Sequence, residues 1–179
     1  MEYIDLSVVL NEKTPVYPGD PVTKITPAGV LEKDGYEDHY VSVGTHVGTH
    51  IDAPSHMVTG GVTLDTFAIG HFVGRGVYIH TGQEITLEKV QATDIDAGDV
   101  VIFHTGMSDI YHTPDYYTSY PAISEEIAKY LVAKKVKMIG VDMFSVDHEP
   151  FPSHRILLGN NILIIENLTN LSVLAGKKF

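Results

Sequence analysis

Between residues 46 and 56 the chain reads His46-Val-Gly-Thr-His50-Ile-Asp52-Ala-Pro-Ser-His56, a concentration of imidazole and carboxylate groups within a few positions. If residues 46–52 run extended, side chains alternate between faces, and His46, Gly48, His50 and Asp52 all point the same way. A helix would also pair His46 with His50, but Gly44, Gly48 and Pro54 argue against one. Gly48, between the two histidines, then leaves space that a larger side chain would deny to a metal ion. A single histidine here is most simply a half-buried polar residue satisfied by backbone. The set of four ligand-type groups is not explained that way. Pro54 directs the chain into a turn, after which His56 is placed either as a further ligand or as a proton carrier within reach of the metal. Farther along, His154 and Glu166 are the groups available to complete such a centre. Glu166 adjoins the apolar run Ile162-Leu-Ile-Ile165, where a carboxylate is costly unless paired or ligated. Tyr17, between Pro15 and Pro18, is either a ring that stacks on substrate or a packed turn residue.

Several β-rich segments bounded by Gly, Pro or Asp could position these groups: residues 3–10, 22–30, 39–52, 76–80, 99–104, 137–143 and 161–166. Helices are expected from Leu87 to about Gln91, after a Thr86 cap, and from Ser124 to about Lys135. The second begins Ser124-Glu125-Glu126 and ends Lys134-Lys135, charges that suit the helix dipole at both ends. Its Ile127, Leu131 and Val132 share one face and would cover a sheet. The expected fold class is α/β, a compact single domain over residues 1–179 with a mixed sheet and a few covering helices.

Composition narrows the chemistry. The formal charge of −11 over 179 residues disfavours nucleic acid or an anionic membrane as partner, since both need concentrated Lys and Arg. Cysteine is absent, so any metal is held by nitrogen and oxygen; Zn²⁺ and Mn²⁺ both fit such a set, with zinc the favourite. The N-terminus carries acidic residues where a signal peptide needs basic ones, and no apolar run approaches the roughly 18 residues of a membrane span, so a cytoplasmic protein is expected. No Gly-x-Ser-x-Gly, Gly-x-Gly-x-x-Gly, phosphate-binding loop or His-Glu-x-x-His motif occurs.

The block His46-x-Gly-Thr-His50-x-Asp52-Ala-Pro-x-His56 resembles the signature of the cyclase-like metal-dependent hydrolases, a family that includes bacterial kynurenine formamidases and isatin hydrolases. Thr14-Pro-Val-Tyr-Pro-Gly-Asp20, Phe103-His-Thr-Gly106, Gly140-Val-Asp-Met-Phe-Ser-Val-Asp147, His154 and Glu166-Asn-Leu resemble its other blocks in order. The resemblance implies that His46, His50, Asp52 and Glu166 ligate one metal and that Asp52, His154 and Glu166 ligate a second, with both carboxylates bridging. It implies that His56 is the proton donor and acceptor. It implies a β-rich, barrel-like centre of the swivelling β/β/α kind, assembled as a homodimer or homotetramer. Kynurenine formamidases of the family carry a Trp where this chain has Tyr17, and the chain has no Trp.

The expected function is therefore hydrolysis of a carbon–nitrogen bond in a small molecule, an aryl formamide or a cyclic amide, by hydroxide held on the metal. The alternatives are a lactone or ester hydrolase or cyclase of the same family and, in a different class, a non-catalytic zinc-binding protein. Asp142, Ser145 and Asp147 are as well explained by local hydrogen bonding. His80, His104, His112 and His148 have no comparable spacing argument.

Overall fold

The structure, a computed structural model, describes residues 2–179; Met1 lies outside the described residues. The centre is a five-stranded sheet in the order β3-β7-β6-β5-β4, formed by β3 (His50–Asp52), β4 (Gly76–His80), β5 (Val100–His104), β6 (Met138–Val141) and β7 (Leu163–Glu166). Strands β4 to β7 are mutually parallel, and β3 runs antiparallel to β7 along one edge. β1 (Lys24–Gly29) and β2 (Asp38–Ser42) form a separate antiparallel pair, joined through the short helix α1 (Leu31–Asp34).

Parallel neighbours need crossover connections, and the helices supply them. α3 (Leu87–Gln91) lies between β4 and β5, α4 (Glu125–Lys134) between β5 and β6, and α5 (Pro152–Gly159) between β6 and β7. Val90, Ile127, Ala128, Leu131, Leu157 and Leu158 of these helices bury against Val101, Phe103, Ile139 and Ile164 on one sheet face. On the other face, Val100, Ile102, Met138 and Leu163 pack against Leu168, Leu171 and Leu174. The strands are covered on both sides, which is why they read as near-continuous apolar runs. α4 ends as its sequence requires. The Ser124 hydroxyl accepts from the Ile127 N–H at 3.3 Å, and Lys135 closes the helix in the left-handed conformation.

The expected α/β domain with a mixed sheet and covering helices is present. Segments 76–80 and 99–104 match strands to within a residue, and 22–30, 137–143 and 161–166 contain slightly shorter ones. Two segments differ. Residues 3–10 are extended, with Ile4, Leu6 and Val8 half-buried between exposed neighbours, but their only bridge joins Ser7 to Leu168. The alternation there reports packing over the sheet rather than membership in it. Segment 39–52 divides into β2 and β3 because the chain turns between them.

Loop 58–62 folds back on α2 (Pro54–Met57), with the Ser55 N–H donating to the Val62 carbonyl at 3.0 Å. A Cβ on Gly61 would lie 2.5 Å from the Pro54 carbonyl carbon and oxygen, backbone that can yield only by moving α2 and the His56 it carries. Gly61→Ala is expected to lower stability by about 1–3 kcal/mol. Urea unfolding checks this, and an unchanged midpoint would contradict the close approach.

Candidate metal centre

The antiparallel register of β3 on β7 sets His50 opposite Glu166, and Asp52, two residues along, shares their face. That face is the one α5 covers, so His154 in the first turn of α5 arrives over the same spot. The groups meet near the carboxyl ends of β6 and β7, where open α/β sheets place their ligands.

Asp52, His154 and Glu166 are buried. Asp52 Oδ1 lies 2.7 Å from His46 Nδ1 and 3.3 Å from His50 Nε2, and Glu166 Oε2 lies 3.6 Å from the same His50 nitrogen. The opposite oxygens turn to His154, whose Nε2 is 3.3 Å from Glu166 Oε1 and 3.7 Å from Asp52 Oδ2. Each carboxylate thus presents one oxygen to the His46/His50 side and one to the His154 side. Among the described residues seven buried side-chain polar atoms lack a hydrogen-bond partner, and four of them are His50 Nε2, both Asp52 oxygens and Glu166 Oε1. These atoms are close without hydrogen-bond geometry, as lone pairs turned toward a cation on either side would be. Unpartnered buried polar atoms are costly, and divalent cations on the two sides would satisfy them. Ligand atoms of His50, Asp52 and Glu166, and likewise those of His46, Asp52 and His56, lie within 4.8 Å of one another.

The electrostatics lead to the same place. Burial pushes the Asp52 carboxyl up, but His154, His46 and His50 overrule it and hold the pKa far below the ordinary carboxylate range. Burial raises Glu166, and the Asp52 charge adds to that effect against the pull of His154. Two adjacent buried carboxylates cannot both ionise cheaply without a cation between them. For His154, burial alone would depress the imidazolium, yet Asp147, Asp52 and Glu166 push it up to about 11.

The expected residues converge, but not by the expected route. Residues 46–49 are not strand. The chain turns through them, and Gly48 has φ +69°, left-handed backbone that L residues seldom adopt. A Cβ there would face Val8, Leu10 and Thr14 rather than the site. Gly48 therefore serves the turn and not metal access, and its carbonyl meets His50 Nδ1 at 2.8 Å, leaving Nε2 to face the carboxylates. His46 reaches Asp52 from this turn. Pro54 starts α2 at its first position rather than a turn, and His56 lies on that helix with its ring 3.9 Å from the His46 ring. His56 is exposed at the mouth of a cavity of about 230 Å³, and Tyr17 lines the same cavity, its ring 5.7 Å from Phe144. Neighbouring burial pushes the His56 pKa down, with Asp52 pulling against it and the surrounding imidazoles adding to it.

Asp147, which local hydrogen bonding explains equally well from sequence, touches His154 with its carboxylate: Oδ1 lies 2.6 Å from His154 Nδ1, and Oδ2 accepts from the backbone N–H of Ser153. Ser145 lines the cavity. Asp142 accepts from Thr105 and Gly106 and holds the loop after β5. Nothing in the spacing of Asp147 marked it; only the helix that brings His154 back does.

A mixed α/β sheet with imidazoles and carboxylates converging beside a cavity defines a domain whose grouped nitrogen and oxygen donors could hold a metal ion. The chain belongs to the cyclase family, whose model, described as "Putative cyclase", matches residues 4–148. The kynurenine formamidase of Geobacillus thermodenitrificans is 30% identical over 93% of this chain and 81% of its own length. A solved structure described as a potential metal-dependent hydrolase with cyclase activity superposes with a TM-score of 0.79 at 30% identity, over 93% of this chain and 81% of that one. An isatin hydrolase bound to the product analogue thioisatinate shares the fold, with a TM-score of 0.84 at 23% identity over 95% of this chain and 80% of that one. Among the described residues no helix is long and apolar enough to cross a membrane.

The raised His154 pKa carries a consequence for the metal-free chain. A group whose folded pKa exceeds its unfolded value of about 6.5 stabilises the fold fully below that value and loses the contribution as pH rises toward about 11. The urea midpoint of chelator-treated protein is expected to fall between about pH 6.5 and 9.5, and His154→Gln to flatten the slope. A midpoint in the unsubstituted chain that holds steady or rises across this window would contradict the ion cluster.

Proposed function

We propose that this chain is a metal-dependent hydrolase that cleaves the carbon–nitrogen bond of a small aryl formamide or cyclic amide. The observation that carries the reading is the pair of buried carboxylates, each with one unsatisfied or imidazole-facing oxygen on either side, beside His56 at the cavity. His46, His50, Asp52 and Glu166 would hold one divalent ion, and Asp52, His154 and Glu166 a second. All donors are nitrogen or oxygen, so zinc suits both and manganese is the alternative. Bound divalent cations supply Lewis acidity, lowering the pKa of water and polarising a carbonyl oxygen.

The remaining chemistry falls to side chains. With its pKa below the ordinary value, the His56 imidazole is mainly neutral at pH 7 and ready to take the proton of an attacking water. It then returns that proton to the departing nitrogen, which as a free amide anion is too basic to leave. Tyr17 and Phe144 line the cavity and offer faces to an aryl ring. This reading is supported by the relatives, which include a kynurenine formamidase and share their fold with an isatin hydrolase.

A homodimer or homotetramer is part of the same reading. Tyr36, Tyr40 and Val41 on the β1–β2 pair and its connection are exposed, and an isolated two-stranded ribbon is only marginally stable in water; a second copy would cover it. Ester or lactone hydrolysis is the second reading, since the same site would attack an ester carbonyl. A metal-storage role would leave His56 and the aromatic cavity without a purpose.

His56→Asn is expected to keep its metal, by elemental analysis, while losing turnover by about 10²–10⁴-fold. Activity surviving within about tenfold would remove His56 from proton transfer. A screen of metal-loaded protein against formamides, cyclic imides, lactones and esters ranks the substrate classes, and hydrolysis of none would favour storage.

A further inference from the structure

The first turn of α5 and the ring of His154 depend on one carboxylate. Asp147 is 3% exposed. Its Oδ2 accepts from the Ser153 N–H at 2.6 Å and from the His154 N–H at 3.3 Å, capping a helix whose N-cap residue, Phe151, makes no side-chain cap of its own. Its Oδ1 lies 2.6 Å from His154 Nδ1. With Nδ1–H donated to Asp147, Nε2 is the nitrogen turned toward Asp52 and Glu166. His50 is held similarly by a backbone carbonyl. His154 has no such carbonyl partner, and here the task falls to a side chain.

We propose that Asp147 is a positioning residue: by capping α5 and orienting His154 together, it fixes the imidazole as a metal ligand. The proposal rests on reading the cluster as a metal centre. The chemistry is a division of labour between two oxygens. An amide at position 147 has one acceptor oxygen and one donor NH₂. If its oxygen stays on the helix N–H groups, its NH₂ faces Nδ1. Nδ1 must then be the acceptor, which keeps the proton of the neutral ring on Nε2 and leaves no lone pair there for a metal. An amide caps a helix about as well as a carboxylate, so Asp147→Asn separates the two tasks.

The test is a double-mutant cycle read by zinc affinity, with Zn²⁺ titrated in competition with a chromophoric chelator into the unsubstituted chain, D147N, H154A and D147N/H154A. D147N alone is expected to weaken zinc binding about 10–100-fold, and to cost nothing further in the H154A background. The metal-free melting temperature of D147N is expected to fall at neutral pH, because the buried His154 loses its carboxylate partner, while that of D147N/H154A stays near that of H154A. Should D147N not fold, D147S, whose single hydroxyl also caps, takes its place in the cycle. Zinc binding by D147N equal to that of the unsubstituted chain overturns the proposal alone, as does an equal loss in both backgrounds, the mark of a purely structural residue. An unsubstituted chain that binds no zinc overturns the metal-centre reading, and the proposal with it.

Discussion

The structure is organised around a repulsion. Asp52 and Glu166 are both buried and face the same imidazoles from adjacent strands. Taking one carboxylate out of water is expensive, and taking two to the same place is more so unless positive charge meets them. In the metal-free chain the imidazoles share that duty, which explains why Asp52 is held ionised while Glu166 is driven the other way. Such an arrangement contributes little to folding by itself. It is intelligible as a cost accepted for function, met elsewhere by the apolar layers on both faces of the sheet.

Those layers also set the geometry. A one-residue slip of β3 against β7 would send His50 and Asp52 to the opposite face, away from α5. Ile51, packed with Leu163 on the far face of the sheet, would be carried into the polar site by that slip, which opposes it. Packing thus enforces the register, and the register places the imidazole and the carboxylates. α5 adds His154 from above, anchored by Leu157 and Leu158 in the core.

The parts legible in the sequence were those in which local pattern and tertiary role agree. Val100 to His104 reads as a strand because it is buried on both faces, and Ser124 announces α4 because its hydroxyl caps it. The ligand types at 46, 50, 52, 154 and 166 were legible because few other roles explain them together. The path between them was less so. Alternation in 46–52 suited a strand, but the turn there is held from a distance: the Thr49 hydroxyl accepts from the Val8 N–H and donates to the Asn167 carbonyl. α5 was missed since its buried face, Ser153, His154, Leu157 and Leu158, is half polar and does not read as an apolar stripe. Asp147 was missed with it, because its partner becomes adjacent only when that helix forms.

The pairing of β3 with β7 joins an early segment of the chain to a late one. During synthesis the histidine-rich segment emerges long before Glu166, and no local folding can give it the second carboxylate. Contacts of such wide sequence separation form late, because loop closure must precede them. The histidine-rich block ends at His56, far short of both His154 and Glu166, so the compact motif and the complete site are different lengths of protein. Assembly of the full cluster accordingly reports that the chain has closed on itself, and a nascent or truncated chain bearing the motif alone would carry donor groups without a site.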